Sequence, residues 1–200
     1  FSHSHEIKIT SPAGGCHSIS TAHTLITTGS TPSKPDIPGA ELAITSDQFF
    51  TLKEQPKRCI VIGGGYIAVE LASLLNKLGT KVHLIVRSEG LLKKFDTDIT
   101  NRLTEALAQD GVKILFNSEI TQIEKFGEAL KVSGLSEEIE PVDCVIMATG
   151  RHALVDPLKL ENTRVSLNAR GLIDIDAHFQ TQDEAISALG DVVGNLPLTP

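Results

Sequence analysis

Gly63, Gly65 and Ala68 form the pattern Gly-x-Gly-x-x-Ala, directly after the apolar run Cys59-Ile60-Val61-Ile62 and directly before a stretch of helical spacing. That arrangement suits the holding of a diphosphate. The first glycine permits a tight turn. The second lets backbone N–H groups approach phosphate oxygens where any side chain would intervene, and the small third residue lets the helix pack closely on the strand. A pyrophosphate would lie on the unpaired N–H groups and positive end of the helix starting near Tyr66. The alternative is a purely structural glycine turn. A P-loop is excluded, because no Gly-Lys-Ser/Thr follows at the required spacing.

The tip of the next strand tells one dinucleotide from the other. A site for NAD places Asp or Glu there, about 20 residues past the glycines, to accept from the ribose 2′-hydroxyl. This chain has Val86-Arg87 instead, with Lys93 and Lys94 further on. A guanidinium fork matches the oxygens of a 2′-phosphate, so the pattern predicts NADP; a solvated surface charge is the plainer alternative for Arg87. Tyr66, the only tyrosine, directly follows Gly65 and is placed either to cover a nicotinamide or to pack at the helix start. Glu70 lies one turn on, on the same face. In this apolar stretch it either finds a cationic partner or is solvent-exposed. Because Glu70 and not Lys follows Tyr66 by four residues, the Tyr-x-x-x-Lys arrangement of short-chain dehydrogenases is absent.

These residues need a parallel α/β frame, and the pattern around them supplies one. Cys59–Ile62 is a strand buried on both faces. Tyr66 to Leu78 forms a helix with Ile67, Leu71, Leu74, Leu75 and Leu78 at helical spacing, closed by Gly79. Lys81 to Val86 is a second strand, with Val82, Leu84 and Val86 on one face and His83 and Ile85 on the other. Asp98 to Gln109 is a second helix (Ile99, Leu103, Ala106 and Leu107 inward), and Val112–Phe116 a third strand. Short strands at 120–125, 129–133 and 137–141 make an antiparallel meander, and Cys144–Ala148 is another buried strand. Upstream, 5–9 and 24–27 read as strands, the proline-bearing stretch 30–39 as a connector, and 46–52 as a short helix capped by Ser46 or Asp47. Strand-like runs recur at Leu172–Ile175 and Ala185–Leu189.

Composition narrows the class. The 200 residues carry 18 Lys or Arg against 25 Asp or Glu, a formal charge of −7, which argues against nucleic acid as the main partner. No run of about 18 uncharged apolar residues marks a membrane span, and no basic-then-apolar leader opens the chain. Cys16, Cys59 and Cys144 are far apart, with no C-x-x-C, so neither zinc site nor disulfide framework is signalled; reduced thiols and a cytoplasmic setting are expected. His3 and His5 look like a tail, since nothing nearby completes a metal site.

The motif Gly63-Gly64-Gly65-Tyr66-Ile67-Ala68-Val69-Glu70, followed by Val86-Arg87 and Lys93, resembles the class I pyridine nucleotide–disulfide oxidoreductases, and most nearly their glutathione reductase branch. Thr28-Gly29-Ser30-x-Pro32 is similar to the first Ala-Thr-Gly segment of that family, with Thr27 in place of the alanine. Met147-Ala148-Thr149-Gly150-Arg151 is similar to the second, and Ala188-Leu189-Gly190-Asp191-Val192 to the flavin-binding Gly-Asp motif. The resemblance implies that residues 1–35 end a first FAD-domain segment, 36–56 connect, 57–151 form the NADP domain, and 152–200 return to the FAD domain. It implies NADP contacts from Gly63, Gly65, Tyr66, Ile67, Glu70, Arg87, Lys93 and Gly150, and FAD contacts from Thr28, Gly29, Arg151, Asp191 and Thr199. Tyr66 would gate the nicotinamide side of the flavin, and Glu70 would pair with a lysine that this chain lacks.

The function so implied is the NADPH-binding portion of a FAD-dependent disulfide reductase acting on a small disulfide, a homodimer through a further domain. The family's redox cysteine pair, its first glycine fingerprint and its proton-handling His and Glu are not in these residues. The chain alone is therefore expected to be inactive, with no catalytic residue of its own. The alternatives are an NAD-using, dihydrolipoamide dehydrogenase-like enzyme and a non-enzymatic nucleotide-binding redox module.

Overall fold

A computed structural model describes residues 1–194. In chain order the elements are β1 (Glu6–Thr10), β2 (Cys16–Ser20), β3 (Thr24–Ile26), β4 (Ser30–Pro32), β5 (Ile44–Thr45), α1 (Ser46–Phe49), β6 (Arg58–Ile62), α2 (Tyr66–Lys77), β7 (Lys81–Ile85), α3 (Thr97–Gln109), β8 (Lys113–Leu115), β9 (Gln122–Phe126), β10 (Ala129–Ser133), β11 (Cys144–Met147), β12 (Arg151–Ala153) and β13 (Ile186–Ala188). They make two compact units, one from Pro32 to Gly150 and the other from Phe1–Thr31 with the chain from Arg151 on.

The Pro32–Gly150 unit is built on a five-stranded sheet of order β5-β11-β6-β7-β8, parallel throughout. Its strands are apolar on both faces because both faces are covered. Cys59, Val61, Val82, Leu84, Cys144 and Ile146 meet Ala68, Ala72 and Leu75 of α2 and Leu107 of α3. Ile60, Ile85, Val145 and Met147 point the other way, onto Ile123 of β9 and Val132 of β10. The α/β sheet and the antiparallel hairpin expected from periodicity are thus both present, and the carboxyl ends of β6, β7 and β11 share one edge.

Several expected details differ. The third meander strand at 137–141 does not form. Glu137, Glu138 and Glu140 leave only Ile139 to bury, Pro141 lacks a donor, and pairing shrinks to a bridge between Leu130 and Val142. On α3, Ile99 and Ala106 are exposed, and Thr100, Leu103 and Leu107 carry the inner face. Leu74 of α2 and Leu78, its C-cap, are exposed. The cap of α1 is Thr45, in a reciprocal capping box with Gln48. The stretch 36–56 supplies the edge strand β5, and the proline-bearing stretch before it contains β4, which pairs with β12.

The other unit packs Ile26, Val165, Ile173, Ile186, Ala188 and Val192 together, around the parallel pair β3–β13. Its β1–β2 hairpin contains a strand that sequence did not suggest: β2 is exposed along its whole length, so it has no buried face to signal it. Leu172–Ile175 forms no strand; Ile173 makes only a bridge to Leu167. Among the described residues, no helix is long and apolar enough to cross a membrane and no cluster of ligating side chains could hold a metal ion.

Candidate dinucleotide site

The turn between β6 and α2 contains two glycines required for different reasons. Gly63 has φ +139, its N–H donates to the Ile85 carbonyl at 2.9 Å, and a Cβ there would stand 2.3 Å from the Ala148 carbonyl oxygen. The fold itself excludes any other residue. Gly65 is different. Its φ of −87 and ψ of 176 suit any amino acid, and a Cβ there would meet no protein atom within 4 Å. Nothing in the chain asks for glycine at 65; the space a side chain would fill lies open at the start of α2. That helix has no side-chain cap and no acidic residue in its first turn. Its positive end is therefore left for an external anion, and the residues fit the diphosphate of a dinucleotide cofactor.

The rest of the predicted set in this unit gathers at the same sheet edge. Val86 is fully buried, and its N–H donates to the Leu115 carbonyl at 2.8 Å; Arg87 follows it out into solvent. The loop carrying Lys93 is tied to the glycine turn, since the Leu92 N–H donates to the Gly64 carbonyl at 2.8 Å and Leu91 is buried beneath. Lys93 itself is exposed. Gly150 (φ +124) follows the end of β11, where the Ala148 N–H bonds the Ile62 carbonyl of β6 at 2.8 Å. Tyr66 is 41% exposed at the helix start, Ile67 packs partly against the core, and Glu70 is exposed. Sequence reasoning passed over Glu119, whose carboxylate stands 3.9 Å from the Arg87 guanidinium. It lies far along the chain on a loop with no motif, so no spacing could have paired the two.

The residues assigned to a flavin in the other unit also meet. Thr28 Oγ1 donates to the Leu154 carbonyl (2.8 Å), and the Gly29 carbonyl accepts from the Leu154 N–H (3.0 Å). Ser30 Oγ donates to Asp191 Oδ2 at 2.9 Å, while Arg151 donates from Nε to Ser30 Oγ and from Nη2 to the Ser30 carbonyl, both at 2.8 Å. Ser30 is the hub of this network; it was legible only as part of the Thr-Gly-Ser-x-Pro motif. Thr199 lies outside the described residues.

Of the three thiols Cys16 is exposed and the other two are buried. Cys59 and Cys144 are register partners on adjacent strands inside the apolar core. The hydrogen bond to Cys144 together with burial pushes the Cys59 thiol far up, so it stays protonated and unreactive.

The profile of the pyridine nucleotide-disulphide oxidoreductase family matches residues 3–200. The chain belongs to this family. It is 39% identical over 188 residues to a glutathione reductase of Nostoc sp., covering 88% of this chain and 41% of that protein. To a glutathione reductase of Yarrowia lipolytica it is 37% identical over 199 residues, covering 97% and 42%. Among solved structures, the HOCl-induced flavoprotein disulfide reductase RclA from Escherichia coli, in its Cu(II) complex, superposes with a TM-score of 0.92 at 30% identity, over 99% of this chain and 45% of that one. LpdA from Mycobacterium tuberculosis superposes at 0.84 with 25% identity, over 96% and 42%. The chain thus spans less than half the length of the relatives it matches, and its fold is that of the flavoprotein disulfide reductases.

Proposed function

We propose that this chain is the NADPH-binding portion of a glutathione reductase-like flavoprotein, with residues 57–151 holding the nucleotide and residues 1–35 and 152–200 contributing to the FAD domain. The observation that carries the reading is the pairing of an open Gly65 with an exposed Arg87. The turn offers backbone N–H groups to a diphosphate, and the strand tip offers a guanidinium, not a carboxylate, to the adenosine ribose. Lys93 would add a second cation on the loop bound to that turn, Ile67 and Gly150 would line the nucleotide, and Tyr66 would cover its nicotinamide. Glu70 remains for a lysine contributed by another part of the intact protein. Thr28, Gly29, Arg151 and Asp191 would hold the flavin, with the Asp191 carboxylate accepting from its ribityl hydroxyls and Thr199 near its ring. In the intact enzyme NADPH would supply hydride, the flavin would pass the electrons to a redox disulfide outside these residues, and the dithiol so formed would open a small disulfide substrate.

The test is calorimetry of NADPH and NADH on the chain and on Arg87→Glu. Removing a charge-assisted contact and adding a repulsive one should weaken NADPH by about tenfold or more and leave NADH nearly unchanged. Equal losses for the two nucleotides would overturn the assignment to a 2′-phosphate. Gly65→Val should abolish binding of both while the melting curve stays in place, because its side chain would occupy the diphosphate's space and no other.

A further inference from the structure

We infer that Glu119 is a specificity-determining residue that restrains the preference for a 2′-phosphorylated nucleotide by acting through Arg87; this rests on the proposed role of Arg87. The carboxylate of Glu119 stands 3.9 Å from Arg87 Nη1, close enough for attraction and too far for a hydrogen bond. The side chains are 84% and 69% exposed, so water competes for both. Such a pair is weak, yet it is not accidental in placement. The loop after β8 is stitched to the strand end that carries Arg87: the Ser118 N–H donates to the Val86 carbonyl and the Asn117 N–H to the Ser88 carbonyl, each at 3.1 Å. Asn117 takes the left-handed conformation that this sharp course requires (φ 48), a region asparagine tolerates well. Ser118 and Ile120 are buried on either side, which leaves Glu119 projecting from a fixed backbone beside the guanidinium.

Two consequences follow for an anion arriving at Arg87. The guanidinium has five N–H donors, and Glu119 occupies none of them fully, so the fork stays available for a phosphate. A 2′-phosphate, itself carrying about two negative charges, then shares the cation with a carboxylate of the same sign, and the repulsion opposes binding. A 2′-hydroxyl carries no charge and suffers no such penalty. Glu119 therefore lowers affinity for the phosphorylated ribose alone and narrows the margin between the two nucleotides.

The experiment uses 2′,5′-ADP and 5′-AMP as probes, titrated by calorimetry against the chain, Glu119→Gln, Glu119→Lys, Arg87→Gln and the double variant Arg87→Gln/Glu119→Gln, at low and high salt. Glu119→Gln should tighten 2′,5′-ADP about fivefold, consistent with one exposed pair released and one repulsion removed, and leave 5′-AMP unchanged. Glu119→Lys should tighten it further. The gain should shrink at high salt and vanish in the Arg87→Gln background. A purely structural role for Glu119 would move both probes together and ignore salt. Glu119→Gln leaving 2′,5′-ADP unchanged, or tightening both probes alike, overturns the inference. If Arg87→Gln alone fails to weaken 2′,5′-ADP selectively, it is the reading of Arg87 itself that falls.

Discussion

The Pro32–Gly150 unit and its companion solve the same problem, the burial of a small parallel β-pair or sheet, with different chemistry. In the first, five strands are packed on both faces by apolar side chains, and Ile60, Val61, Leu84, Val145 and Ile146 are fully shielded from water. In the second, the sheet is reduced to two-stranded pieces, and a little-exposed carboxylate stands beside its apolar cluster. Asp183 is 1% exposed and accepts from Ser4 Oγ and from the N–H groups of Arg164 and Ala185. Beside it, Thr181 Oγ1 and Gln180 Nε2 both donate to the Ile186 carbonyl of β13. The first unit owes its order chiefly to apolar burial; the second adds to its apolar cluster a set of hydrogen bonds that depend on one ionised group.

The largest test of this contrast lies in the glycine turn. Gly63→Ala would force a side chain into a left-handed position and against the Ala148 carbonyl, costing about 3 kcal/mol or more. Chemical denaturation should show the loss, and hydrogen exchange should place it in β6, β7 and β11. Retained protection in those strands would show that the sheet is far more yielding than its packing indicates.

Next in size is Asp183→Ala in the companion unit. Three donors lose their acceptor inside the protein, an expected cost of about 2–3 kcal/mol. Faster exchange should appear at residues 1–31 and 151–194, with residues 58–62 and 144–147 unaffected. Uniform loss across both groups of residues would mean that the carboxylate supports the whole chain and the contrast is false.

The same residue sets a pH dependence. Burial alone would raise the Asp183 carboxyl, but the hydrogen bonds from Ser4 and the backbones of Arg164 and Ala185, with the Arg164 charge, hold it below the usual carboxylate range. A folded value depressed below the unfolded one means stability that is present above about pH 4 and lost as pH falls through the lowered folded value. Acid should therefore loosen residues 1–31 and 151–194 before the sheet. In Asp183→Asn, which cannot titrate, this early loosening should disappear from exchange profiles taken across that range.

The contrast also explains what could be read in advance. β6, β7 and β11 were legible because apolar runs of strand length have few other uses, and the Gly63–Ala68 motif because each residue in it answers to a separate steric demand. β2 was hidden, since Cys16–Ser20 buries nothing and leaves only backbone pairing to define it. The false strand at 137–141 had the opposite cause: its alternating appearance came from acids flanking Ile139, and a proline removed the donor that pairing required. In the site, Arg87 was legible because it occupies a position the motif defines. Glu119 and the partners of Ser30 were not, because they are set by long-range folding: Ser30 meets Asp191 and Arg151 only once β4, β12 and β13 are in place. Ile99 was assigned to the core on period alone, whereas α3 meets the sheet through Thr100, Leu103 and Leu107.

The smallest effect would sharpen the contrast from the apolar side, at a half-buried histidine in the interior strand β7. His83 lies opposite Lys113 of β8 and Ile60 of β6, and its Nδ1 is buried with no hydrogen-bond partner among the described residues. Burial, reinforced by the charge of Lys113 and opposed by that of Glu137, lowers its pKa below the ordinary histidine value. Lys113 is in turn held by Glu137 at 2.7 Å, so the acid that could attract a protonated ring is already engaged. The folded chain thus prefers the neutral ring, whereas the unfolded chain takes up a proton near pH 6.5. Between that value and the lowered folded one the unfolded state binds more protons, so stability falls as pH falls. His83→Leu removes both the titration and an unsatisfied nitrogen, and it should leave stability equal or higher by about 1 kcal/mol at pH 7. The decisive measurement is the change in urea midpoint between pH 5 and pH 7.5, which should be smaller in the variant than in the parent chain. Identical changes would show that the folded ring takes up a proton as readily as the unfolded one, and that its charge state has no bearing on the sheet.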